Sequence, residues 1–357
     1  RDRIDTTNAN SGQIVVSGNV TLDANTQTTV DFALSSLDDA NGEAAFGTGQ
    51  KIYIIKDYQH LTGTAADHFV FDGTDHQTNF RQTVQQHDDD VAELVYNSGA
   101  FGADASGIFA KWDLSQINLL SKESGGYVIS TSGSDAITAT ITGSGDVTYE
   151  AGAITIASTE INDYSGSTFV TGAAVDLAKD EALGNTSLLS ITSGSVAVNA
   201  THQTIGSLQT TVEGAITMAT GGRLELAGDS SVSGANNGIV SGSSIALADG
   251  NETLTINDVE SLGQADISLG DGTTLLLSGI ASGSDAAVFD NAVSGASGTV
   301  ALNSGAQVEF TSMDNGFGTL HVYGTGTTAI VNNMQADDTA LGDALVDVDS
   351  GNRVELA

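Results

Sequence analysis

The sequence predicts an all-β chain, an elongated parallel β-helix with three-sided coils. Three observations carry that expectation. Of 357 residues, 43 are glycine, and proline and cysteine are absent. Long helix-forming stretches rich in Ala, Leu, Glu and Lys are missing. From about Thr186 onward, short apolar runs return with the alternation of strands.

Those runs read in order "SLLSI", "SVAVNA", "SLQTTV", "AITMA", "RLELA", "SIALA", "TLTIN", "DISLG", "TLLLSG", "TVALN", "QVEF", "LHVYG" and "AIVNN". Gly, Ser, Asn and Asp separate them, often as "SG", "GN", "DG" or "GG", dipeptides that let the backbone turn through positive φ. Strand starts fall about 8 to 12 residues apart, a spacing shared by sandwiches, barrels and solenoids. A uniform turn vocabulary and a core of Leu, Ile, Val and Ala with few aromatics favour the solenoid, because equivalent inward positions then stack in narrow aliphatic columns. With roughly 20 to 25 residues per coil, about 15 coils are expected. At about 4.8 Å per strand layer the shaft would run roughly 70 Å.

One stretch breaks the rhythm. Residues 46–127, Phe46 to Tyr127, hold 11 of the 19 aromatic residues, the single tryptophan Trp112, four of the six histidines and five of the ten basic residues. "KIYIIKDYQHLTG" reads as a strand, whereas "NFRQTVQQHDDDVAELVYN" is polar enough for helix or loop. The region is expected either as wider coils filled by aromatics or as an exposed binding elaboration within a single β-helix spanning 1–357.

The formal net charge is -35 and no basic cluster is present. Nucleic acid is excluded as a partner, because counterion release needs Lys and Arg against phosphate. An anionic membrane surface is disfavoured for the same reason. The same charge keeps copies apart until salt or a cation screens it. Absent cysteine removes disulfides, Cys-ligated zinc and thiol nucleophiles. The chain begins with Arg1, has no apolar run long enough for a membrane span, and closes on "NRVELA", which still reads as a strand. It is therefore expected to be an internal piece of a continuing structure, without membrane insertion of its own.

A local pattern occurs twice. "YSGSTFVTGAAVDLAKDEALGNTSLLSI" begins at Tyr164, and much of it returns as "YGTGTTAIVNNMQADDTALGDALVDV" from Tyr323. Both are expected to be diverged coils of one series. Tyr164, Ser165 and Gly166, then "STFVTGAAVDL", then Ala178, Asp180, Ala182, Leu183 and Gly184 resemble the autotransporter-associated β-strand repeat of bacterial autotransporter passenger domains. The second copy keeps Ala336, Asp338, Ala340, Leu341 and Gly342 but has "VNNMQ" where the family prefers an alternating Gly and Leu strand. The resemblance is strong over about 30 residues and stylistic over about two thirds of the chain. It implies a right-handed parallel β-helix, export by a signal sequence, and passage through a C-terminal outer-membrane β-barrel, with display on the cell surface of a Gram-negative bacterium.

Candidate chemistry is sparse. "GDSSVSG", Gly228 to Gly234, is similar to a serine-protease nucleophile turn, but Ser231 stands where an oxyanion hole needs glycine. Asp88, Asp89 and Asp90 beside His87 are weak oxygen ligands for a metal, since consecutive aspartates rarely face one centre. His60, His68, His76 and His87 match no compact zinc spacing. No cofactor is expected. A carbohydrate-active β-helix of lyase or tailspike type would need paired carboxylates or basic partners on one face, and after Lys179 only Arg223 and Arg353 remain. Glycan binding would use an aromatic platform, for which Tyr58, Trp112 and Tyr164 are the candidates.

The function expected from these readings is a non-enzymatic adhesin that binds itself on neighbouring cells, giving autoaggregation and biofilm. The alternatives are host glycan or matrix binding through 46–127, and the carbohydrate-active enzyme.

Overall fold

Alternation of apolar and polar residues decides which side of a strand turns inward, and parallel coils then stack like on like. The computed structural model describes residues 14–356 except 16–18, 24–26, 31–49, 57–58, 72–79, 87–88, 235–237, 249, 281–285, 313, 333–340 and 342. The chain is nearly all strand and winds into a β-solenoid of about 11 turns.

Three sides recur in each regular coil. On the first, Leu254, Leu275, Val300 and Leu320 lie in register, and beside them run Ile256, Leu277, Leu302 and Val322. All eight are buried. On the second side Ile156, Leu177, Val198, Met218 and Ile239 form the column. On the third, Leu224, Ile245, Ile267 and Val293 do so. Each such aliphatic side chain contributes about 1.5–3 kcal/mol by leaving water. Gln203 heads the third column, and its buried amide donates to Lys179 O at 2.7 Å.

Register partners such as Val147 and Thr168, or Leu254 and Leu275, set a coil of about 21 residues. Some strands round a corner without ending. Leu188–Val198 is one, and its bend falls at Gly194, where φ is 82° and a Cβ would stand 2.3 Å from Ala173 O. Only glycine fits there.

The N-terminal region is built differently. Ile14–Val15, Asn19–Thr21 and Thr28–Val30 pair in parallel with Gln50–Lys56, His60–Thr62 and Phe69–Phe71, so two longer coils stack there. Phe80–Gln86, Asp89–Asp104 and Gly107–Leu119 then form an antiparallel sheet, whose last strand also lies antiparallel to Gln50–Lys56. The second half of Gly107–Leu119 pairs in parallel with Thr140–Gly143. This strand therefore joins the hairpins to the regular coils.

Three expectations change. The turns number about 11, not about 15, because the first third of the chain goes into longer coils and hairpins. "NFRQTVQQHDDDVAELVYN" gives a hairpin of strands, Phe80–Gln86 and Asp89–Asp104, rather than helix or loop; Arg81, Thr83, Gln85, Asp89 and Asp90 are exposed while Val84, Val91, Leu94 and Tyr96 are buried. The two recurring stretches do not occupy equivalent places. Tyr164 leads into Thr168–Leu177, which begins on the first side, and Tyr323 leads into Thr328–Val331, which stacks on Gln307–Phe310 of another side. What recurs is a way of entering a strand from a corner. Ala336, Asp338, Ala340 and Gly342 lie outside the described residues.

Candidate functional site

Trp112 and Tyr164 are not a platform. Trp112 is 1% exposed, on the inward side of Gly107–Leu119 opposite Gln50. Tyr164 is wholly buried, with its hydroxyl 2.7 Å from Thr168 Oγ1. Neither ring can meet a ligand, because both are sealed in the core. Tyr58 lies outside the described residues.

Asp88, with His87, also lies outside them. Asp89 and Asp90 pair with Gln86 and Gln85 across a hairpin, and Gln85 Nε2 donates to Asp90 Oδ1 at 2.7 Å. Neighbours in a strand point to opposite faces, so these two cannot share a centre. Among the described residues no three His, Asp or Glu side chains gather as metal ligands. Ser230, in the protease-like turn, is buried in the first side's column, accepting from Leu208 N at 2.9 Å and donating to Gly228 O at 3.0 Å. Its hydroxyl is occupied by the fold.

Two surface clusters emerge instead. The first sits on the outer face of the antiparallel sheet. Phe109 faces Tyr53 on one neighbouring strand and Gly102 on the other. The far end of the Phe109 ring crosses Gly102, where a Cβ would meet it at 2.8 Å. Tyr53 meets Phe109 edge-on, with centroids 5.8 Å apart at 74°. Its hydroxyl donates to Asp104 Oδ2 at 3.0 Å, and Asp104 Oδ1 accepts Ser106 N at 2.9 Å. A bulge between Tyr53 and Ile55 returns Lys56 to the outer face, and its Nζ stands 5.2 Å from the Tyr53 ring centroid. Lys111 Nζ pairs with Asp113 Oδ1 at 2.8 Å on the same face. Tyr53, Phe109, Lys56 and Asp104 are all partly exposed.

The second cluster crosses three coils of the third side. His202 Nδ1 lies 3.7 Å from Glu181 Oε1 and its Nε2 lies 3.6 Å from Glu225 Oε2. Arg223 also reaches Glu225, at 3.2 Å. Glu181, at φ 51°, accepts from Thr204 N and Thr204 Oγ1, each at 3.0 Å. The imidazole stands between the two carboxylates. That filling leaves no room there for the water or sugar ring that a hydrolytic carboxylate pair must flank. The cluster ties coils together.

Sequence reasoning looked for lone aromatics and missed the Tyr53–Phe109 pair, because pairing across strands requires register. The available signal was the "KIYIIK" strand itself and the alternation of Phe109, Lys111 and Asp113. No family model, curated protein or solved structure matches the chain.

Proposed function

We propose that the chain is the rod of a cell-surface adhesin of a Gram-negative bacterium, and that it holds cells together by binding copies of itself. The observation that carries this reading is the register of the coils. Outward residues Phe169, Ser190, Gln209, Ser231 and Thr255 fall in one continuous row, with a step of about 4.8 Å. From Ser190 to Thr255 a second copy laid along the row meets hydroxyls and amides at that spacing. Single hydrogen bonds between surfaces contribute only about 0.5–1.5 kcal/mol each, but a rod repeats them, and two cells repeat the rods. The charge of -35 adds a condition, since like faces approach only when salt screens them. The resemblance to autotransporter passengers supports the route to the surface. Displaying the chain on a non-clumping Gram-negative host tests the proposal: cells should settle in clumps, and a host that stays dispersed would oppose it.

A further inference from the structure

We infer that the outer face formed by Tyr53, Phe109, Lys56, Asp104 and Lys111 binds a neutral glycan. This goes beyond self-association and does not depend on it. Sugar rings offer two chemistries at once, an apolar patch of C–H groups and a rim of hydroxyls. Proteins meet them with an aromatic ring bordered by charged or amide groups.

The face has both parts. The Phe109 ring is seated over Gly102, whose lack of a side chain makes the seat, and Tyr53 braces it edge-on. The brace is itself fixed: Asp104 takes the Tyr53 hydroxyl proton, and Ser106 N holds the other Asp104 oxygen. An aromatic pair locked in this way loses little side-chain freedom on binding. The rim supplies acceptors in Asp104 and Asp113 and donors in Lys56 and Lys111. A carboxylate oxygen can accept more than one hydrogen bond, and an ammonium carries three protons. Both kinds of group are needed, because a hydroxyl donates one hydrogen bond and accepts others.

Charge selects among glycans. These described side chains are two carboxylates and two ammonium groups, which balance one another on a chain of net charge -35. A uronic-acid or sulfated polymer would be repelled by the chain as a whole, and a cationic peptide would meet Lys56 and Lys111 at the rim. A neutral hexose polymer meets neither penalty. One flat face of this kind predicts weak contact per site, strengthened by the many copies on a cell.

The test uses the whole chain with neutral hexasaccharides of glucose, mannose and galactose, an oligogalacturonate, and a lysine-rich peptide, followed by saturation-transfer NMR. At least one neutral hexasaccharide should receive saturation, and the oligogalacturonate and peptide should not. Phe109→Leu keeps an apolar cover over Gly102 and removes the aromatic ring; it should weaken binding at least ~10-fold with the thermal midpoint little changed. Asp104→Asn should weaken it less. Silence from all three neutral sugars, preference for the peptide or the acidic sugar, or full binding by Phe109→Leu would overturn the inference. Clumping of displaying cells should survive Phe109→Leu, which separates this site from self-association.

Discussion

Thr168 Oγ1 lies 2.7 Å from the Tyr164 hydroxyl and 2.9 Å from Thr186 Oγ1, and all three side chains are buried. Thr186 gives its proton to Gly166 O at 2.9 Å, so it accepts from Thr168, which accepts from Tyr164. Direction follows from the fixed carbonyl at the end. Thr168→Val removes the acceptor of the Tyr164 hydroxyl and should cost about 1–3 kcal/mol, while Thr186 keeps its bond to Gly166 O. Tyr164→Phe removes only the first donor and should cost about 1 kcal/mol. Urea unfolding of both variants checks the order, and equal losses would contradict the directed chain.

Burial pushes the Tyr164 hydroxyl well above its ordinary value, against a smaller opposing effect of its hydrogen bonds to Thr168 and Thr186. Burial raises Tyr149 too, with Tyr164 nearby adding to the rise. A raised folded value means that the unfolded chain loses the proton first. Stability linked to these tyrosines is therefore complete below about pH 10 and falls as pH climbs above it. Absorbance at the tyrosinate band should show Tyr149 and Tyr164 ionising only with unfolding. A Tyr149→Phe, Tyr164→Phe pair should flatten the alkaline loss, and an unchanged slope would refute this linkage.

Gly194 holds φ at 82° beside Ala173 O. Gly194→Ala sets a Cβ against that oxygen in a backbone region that L-residues avoid, and the strain alone should cost about 1–3 kcal/mol. Denaturant titration measures it. Gly316, with nothing near its Cβ position and no positive φ, serves as the control and should tolerate alanine.

The outward row separates folding from function. Ser190→Glu with Ser231→Glu adds bulk and like charge to positions that line the solvent side of buried columns. Thermal stability should move by no more than about 0.5 kcal/mol per site. Clumping of displaying cells should fall sharply. Loss of stability in step with clumping would show that the row serves only the fold.

Much of the architecture was legible because a solenoid repeats one local problem. "TLTIN", "TLLLSG" and "TVALN" each announce a strand, and stacking like on like then follows from burial. The N-terminal third resisted, since Phe80–Gln86 and Asp89–Asp104 show which residues turn inward but not that the pairing is antiparallel. Aromatic content set residues 46–127 apart without telling core from surface. Trp112 and Phe109 are three residues apart on one strand, yet one is sealed and the other partly open, through a parity that register alone decides. The recurring Tyr164 and Tyr323 stretches carried the converse lesson: local similarity fixes a corner, not a place in the coil.

Self-association is read out by the sedimentation of cells displaying the chain at varied ionic strength. At low salt the charge of -35 should hold cells apart, and near physiological salt, with a Debye length of about 8 Å, they should clump. Mixed populations should clump only when both carry the chain. Dispersed cells at every salt concentration, or clumps that recruit bare cells equally well, would contradict it.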